Sequence, residues 1–168
     1  MNTLKSLSYS VENDEIWDMS DVGQFDNKWS KNCIDRTEHE PNLNLTRQCQ
    51  YYHSPNEVGG DKETILLDYK RATEVNEGER WFVGVKASAV FTPKEQDGIS
   101  TPLSATMESV GCWGIEVDGS DEDTEYLQSV AKEEFDDLKH GLSKMSVDLS
   151  EWDHHLSVAL ERACDASS

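Results

Sequence analysis

The 168-residue chain carries 34 acids against 15 bases, a formal charge of −19, well beyond the roughly 2–8 units common for a small domain. That excess argues against direct binding of DNA, RNA or an anionic membrane, because phosphate binders need Lys and Arg. The length fits one domain of roughly 100–200 residues over 1–168, able to bury a core without disulfide or metal. Five Trp, five Tyr and four Phe exclude a disordered chain.

In chain order, residues 1–40 read as an irregular segment. Leu4, Leu7, Tyr9 and Val11 form a short strand, a helix spans 13–20, and Trp17, Met19, Val22, Phe25 and Trp29 pin the segment to the core. From Leu43 the period becomes two. Leu43, Leu45, Cys49 and Tyr51 face one way and Asn44, Thr46, Gln48 and Gln50 the other, which predicts a half-buried strand. Pro55-Asn56 and Gly59-Gly60 mark a turn. Thr64 to Tyr69 reads as a second strand with Ile65, Leu67 and Tyr69 on one face, and Asn76 and Gly78 mark another turn.

Trp81 to Thr92 alternates most clearly, with Trp81, Val83, Val85, Ala87, Ala89 and Phe91 on one side. A loop over 93–102 contains two prolines and Gly98. Leu103 to Val117 follows as a long strand with Leu103, Ala105, Met107, Trp113, Ile115 and Val117 on one face, and with a bulge at Gly111 and Gly114. The region 43–117 is thus expected to be an antiparallel sheet of four or more strands.

The last part, 120–164, turns helical. Ser120 and Asp123 have the spacing of a capping box, and Asp121, Glu122 and Asp123 complement the helix dipole. Leu127, Ala131, Phe135, Leu138, Leu142 and Met145 recur in steps of three and four, a helix stripe; Gly141 weakens its end. Ser150 is placed to cap a second helix with Trp152, Leu156, Ala159, Leu160 and Ala163 inward. Strands followed by helices predict an α+β fold with two C-terminal helices packed on one sheet face.

Chemistry-bearing motifs are sparse. Cys33, Cys49, Cys112 and Cys164 are scattered, without Cys-x-x-Cys spacing, and read as reduced core thiols. Asp118 to Asp123 has the look of a calcium loop, but its sixth and twelfth positions, Asp123 and Ser129, fail the pattern, and a helix start fits better. His39, His53 and His140 are isolated and His154-His155 lack ligand spacing. Gly59-Gly60-Asp61-Lys62 is too short for a phosphate loop, and no nucleophile motif stands out. No metal and no cofactor is expected. The N-terminus has no apolar run of a signal peptide and no stretch reaches membrane length, so a cytoplasmic setting is expected, in which the Asn44-Leu45-Thr46 sequon carries no sugar.

Charge placement is the sharper signal. Residues 111–168 hold fifteen acids and four bases, more than half of the excess. Opposite the apolar stripe of the first C-terminal helix fall Glu122, Glu125, Glu133, Asp136 and Asp137. With Asp121 and Glu134 these are the candidate partner-binding residues. Like charges three and four residues apart cost stability, offset here only by Lys132, Lys139 and Lys144. The plainer reading is a solvated, solubilising helix face.

Gly111-Cys112-Trp113-Gly114-Ile115-Glu116-Val117-Asp118, followed by Tyr126-Leu127, Val130, Glu133-Glu134-Phe135 and Leu138, resembles a segment of small acidic proteins of phages and actinobacterial plasmids. The resemblance covers about a fifth of the chain. It implies a mobile-element origin and, by analogy with acidic anti-CRISPR and anti-restriction proteins, mimicry of nucleic acid. The leading expectation is a non-enzymatic inhibitor that fills the nucleic-acid groove of a basic host defence complex. The alternatives are an adaptor or virion-associated protein contacting its partner through Trp17, Phe25 and Trp29, and an enzyme with a carboxylate site that no motif marks.

Overall fold

The computed structural model describes residues 1–15, 22–56, 60–94 and 104–165, with side chains as far as residue 161. Its elements run β1 (Asn2–Asn13), β2 (Gln24–Asp26), β3 (Ile34–Asp35), β4 (Tyr51–His53), α1 (Lys62–Glu77), β5 (Trp81–Thr92), β6 (Ala105–Glu108), β7 (Cys112–Val117), α2 (Asp121–Lys144), β8 (Val147–Asp148) and α3 (Trp152–Asp165). The fold class is α+β. The chain gathers into two compact units, residues 1–14 with 82–168, and residues 15–81.

In the first unit the sheet order is β6-β5-β1-β8, with β7 also paired to β5. Strand β1 lies antiparallel to β5 over almost its whole length, from Thr3 opposite Thr92 to Asn13 opposite Val83. The register shifts between Leu4 and Ser6. That bulge explains how Leu4 and Leu7, an odd number of residues apart, are both buried: the extra residue resets the alternation. Strand β8 pairs parallel to β1, so the sheet is mixed.

One face of this sheet supplies Leu4, Leu7, Val83, Val85, Ala87, Ala89, Phe91, Ile115 and Val117 to a single core. Helix α2 covers it with Val130, Ala131, Phe135, Leu138 and Leu142, and α3 with Trp152 and Ala159. Phe135 sits edge-on to both Tyr9 and Trp152, with centroids 6.3 and 6.5 Å apart, the geometry aromatic quadrupoles favour. The capping box of Ser120 and Asp123 is present at the start of α2. A Cβ at Gly141 would meet the flexible end of the Met107 side chain of β6.

Several expectations about this unit change. The irregular segment expected over 1–40 begins with the 12-residue β1, which lies inside the sheet between β5 and β8. The long 103–117 strand breaks into β6 and β7 around Gly111, and both Gly111 and Gly114 take the left-handed conformation that favours glycine (φ 87° and 76°). The break puts Trp113 out of phase with Ile115 and Val117. Its ring is 44% exposed and lies over Gly84 rather than in the core. Met145 is likewise exposed, as the C-cap of α2. The expected helix over 13–20 meets Asn13 as the end of β1; its residues 16–20, Leu103, and the side chains of Ala163 and Cys164 lie outside the described residues.

The second unit departs further. The segment expected as a strand over 64–69 belongs to helix α1. Asp61 caps it, accepting from the Thr64 N–H at 2.8 Å, left-handed Gly78 ends it, and Ile65, Tyr69 and Ala72 are its buried stripe. Steps of four and three are a helix face, not a strand face. Of the strand expected over 43–51 only its end survives in β4. Asn44 instead accepts from the N–H and hydroxyl of Thr46 at 3.1 and 2.6 Å and closes a turn. Strand β4 is the middle of a small three-stranded sheet, β2-β4-β3.

Arg36 holds this unit together from inside. It is only 4% exposed. Its guanidinium grips both Glu40 oxygens at 2.9 and 3.0 Å, donates to the Cys49 carbonyl at 2.9 Å, and lies 4.5 Å from the Phe25 ring centroid. Tyr69 of α1 donates its hydroxyl to the same Glu40 carboxylate, and Tyr52 stacks between Phe25 and Tyr69 at 5.3 Å from each. A buried guanidinium is tolerable only when paired and hydrogen-bonded in this way.

Burial pushes the Glu40 carboxyl up, but the hydrogen bonds from Arg36 and Tyr69 and the Arg36 charge outweigh it and hold the group below its ordinary 4.5. The ionised form is therefore favoured in the folded state. Its contribution is fully present at neutral pH and is lost as pH falls below 4.5 through the lowered value. Urea unfolding of Glu40→Gln should show a loss of about 2 kcal/mol at pH 7 and a flatter pH dependence below 4.5 than the parent chain. A second expectation concerns the insertion. Asn13 pairs with Val83, and the Asp14 N–H reaches the Phe82 carbonyl at 2.9 Å, so the chain leaves and re-enters the first unit at one point. Replacing residues 15–81 by a two-residue Asn-Gly hairpin turn should leave the first unit folded, with a single cooperative thermal transition by circular dichroism.

Candidate functional site

Helix α2 is built by its inner face and leaves its outer face free. The buried residues recur at the helical period, so at about 100° per residue the opposite side must meet water. There Glu122, Glu125, Glu133, Asp136 and Asp137 are all exposed, over about 22 Å of axis at ~1.5 Å per residue. Among the described residues none of these five carboxylates has a basic partner. The nearest lysines do not relieve them: Lys139 lies over the Trp152 ring, 5.2 Å from its centroid, and the exposed Lys132 and Lys144 make no ion pair with a described residue. Tyr126, 55% exposed, stands within the acidic row.

The other expected site residues are placed differently. Asp121 is exposed in the first turn, where it faces the positive end of the helix dipole. Glu134 is half-buried and accepts from the Gly111 N–H at 3.1 Å, so it fastens the break between β6 and β7 and is turned away from the row. Asp123, outside the expected set, accepts from the N–H groups of Asp118, Gly119 and Ser120 at 2.7, 2.8 and 3.3 Å. That stretch is a helix start, as its failed calcium pattern implied.

The row is also where the charge imbalance lies. The first unit holds twenty acids and seven bases, the second fourteen and eight. The lysine of β5, Lys86, is paired with Glu108, whose hydrogen bond holds the ammonium above its ordinary value. Among the described residues of the second unit, Arg36 pairs with Glu40, and Lys70 and Arg80 both pair with Glu74.

Of the expected aromatic contact set the described residues include Phe25 and Trp29. Trp17 lies outside the described residues, Phe25 is half-buried under Arg36, and Trp29 is exposed, 70% open to solvent. Cys33, Cys49 and Cys112 are free thiols, half-buried. Among the described residues no group of three or more His, Cys, Asp or Glu side chains is arranged to hold a metal, and no described helix is long and apolar enough to cross a membrane.

Repulsion along the row has a measurable consequence. Glu133 and Asp137 are one turn apart, so Glu133→Lys should replace a repulsive pair with an attractive one and raise stability by about 0.5 kcal/mol, read as a higher midpoint in urea that shrinks in high salt. A search of protein-family models, of curated proteins and of solved structures finds no match to the chain.

Proposed function

We propose that the chain is an acidic, non-enzymatic inhibitor that binds a basic nucleic-acid-binding protein through the outer face of α2. The carrying observation is the row of five exposed carboxylates without a basic partner among the described residues. A helix selected for stability alone would carry more lysines three and four residues from those acids than Lys132 and Lys139, which have this spacing only to Asp136. Set along one face at one- and two-turn intervals, the carboxylates can take the places of successive phosphates against Lys and Arg side chains. Binding then displaces nucleic acid from the partner's groove, and the long-range field of a −19 chain speeds the encounter.

The resemblance of about residues 111–145 to acidic proteins of mobile elements supports a host defence complex, of the CRISPR or restriction type, as the partner. On this reading the inhibitor acts inside the host cell, needs no cofactor, and does not itself touch nucleic acid.

The test is a competition assay. A nuclease-treated bacterial lysate is passed over the immobilised chain at low and high salt, captured proteins are identified, and each is challenged with duplex DNA. A basic nucleic-acid-binding complex, released by DNA and by about 0.5 M salt, is the expected result. Glu133→Lys/Asp136→Lys/Asp137→Lys should abolish capture while leaving the circular dichroism spectrum unchanged; a folded triple variant that still inhibits would sink the mimicry.

A further inference from the structure

A groove of about 640 Å3 opens on the second unit between the 29–39 segment and the start of α1. Buried Ile34 and Ile65 line its inner side, and the exposed Trp29 its outer side. Lys31 and Lys62 both border it. Both are exposed, and among the described residues neither has an ion-pair or hydrogen-bond partner.

The groove's other polar side chains are mostly committed. Asp35 accepts from the Thr37 N–H and hydroxyl at 3.0 and 2.7 Å and from the Gln50 amide at 3.1 Å. The Cys33 thiol donates to the Ser30 carbonyl at 3.1 Å, and the His39 ring lies 5.6 Å from that of Tyr69. Glu38 is left as the one uncommitted carboxylate against two ammonium groups. An indole offered to solvent stacks on planar ring systems, and ammonium groups on the border of one groove draw an anion into it.

The geometry points to a binding site for a small planar aromatic anion, with its ring on Trp29 and its phosphate or carboxylate between Lys31 and Lys62. This goes beyond the α2 reading and does not rest on it. It uses the other unit, a different charge sign and a small ligand.

Adenosine 5′-monophosphate is the probe, titrated into the full 15N-labelled chain, with adenosine and inorganic phosphate as the ring-only and anion-only controls. The monophosphate should shift the amides of residues 29–39 and 60–66 saturably, and bind at least about tenfold more tightly than either control. Trp29→Ala, Lys31→Ala and Lys62→Ala should each weaken it by roughly tenfold. All three side chains are exposed, so the variants keep the parent spectrum. Lys132→Ala on α2 removes the same charge far along the sequence and should leave the affinity unchanged. The assignment is overturned by the absence of saturable shifts in the millimolar range, by adenosine or phosphate binding as tightly as the monophosphate, or by Lys132→Ala weakening binding as much as the groove variants.

Discussion

The pairing of β1 with β5 is the constraint on which the rest of the first unit depends. The two strands run antiparallel from Thr3–Thr92 to Asn13–Val83, yet all of residues 15–81 intervene. Closing so long a segment costs only slightly more than closing one of half the length, and the inserted unit has a core of its own to offset its ordering. Once β1 and β5 are joined, β6 and β7 find the free edge of β5, β8 finds the free edge of β1, and one sheet face is complete. Helices α2 and α3 have a single apolar surface to cover, and their stripes match it. The direction of the acidic row follows from that match, because the side of α2 that faces the sheet decides which side faces water.

This hierarchy explains what could be read from the sequence. Strand β5 was legible because its alternation runs unbroken over its whole length, and α2 because its stripe, Leu127 to Leu142, persists for about four turns. Helix α1 was obscured by a short window. Over Thr64–Tyr69 alone, Ile65, Leu67 and Tyr69 alternate like a strand, whereas Asp61, Ala72 and Gly78 outside that window supply the cap, the next step of the stripe and the stop. Leu67, which that alternation placed inside, is 63% exposed. The 43–50 stretch misled for another reason: its alternating Asn and Thr side chains satisfy their own backbone and make turns instead of a ladder. Trp113 was misassigned because a positive φ at Gly114 resets the alternation, and period-two counting does not register a change of backbone handedness.

The row on α2 was legible residue by residue because exposure on a helix follows from the stripe. Glu134 is the exception that tertiary structure imposes. It stands at the boundary between the two faces, and its fate was set by an unpaired N–H at Gly111, a group exposed only because the strand breaks there. A backbone donor left open by a broken ladder needs a partner, and the nearest carboxylate of the helix supplies it. The groove beside Trp29 was not legible at all, since it brings residues 29–39 together with residues 60–66 across an irregular segment.

Arg36 in the second unit and the carboxylates of α2 in the first show charge treated in opposite ways. In the second unit the buried guanidinium of Arg36 is matched by Glu40, Tyr69, Phe25 and a backbone carbonyl, so its charge is absorbed by the fold. On α2 nothing among the described residues absorbs the five carboxylates. Their removal costs the core nothing, because Phe135, Leu138 and Leu142 hold the helix from the other side. Charges that stabilise a fold are paired within it; charges that lower its stability persist only where something outside the fold makes use of them, whether bulk water or a partner. A solvating role requires only enough charge, distributed anywhere. The α2 carboxylates form two groups on one face, Glu122 with Glu125 and Glu133 with Asp136 and Asp137, and a partner that used them would have to match the gap of about 12 Å of axis between the groups.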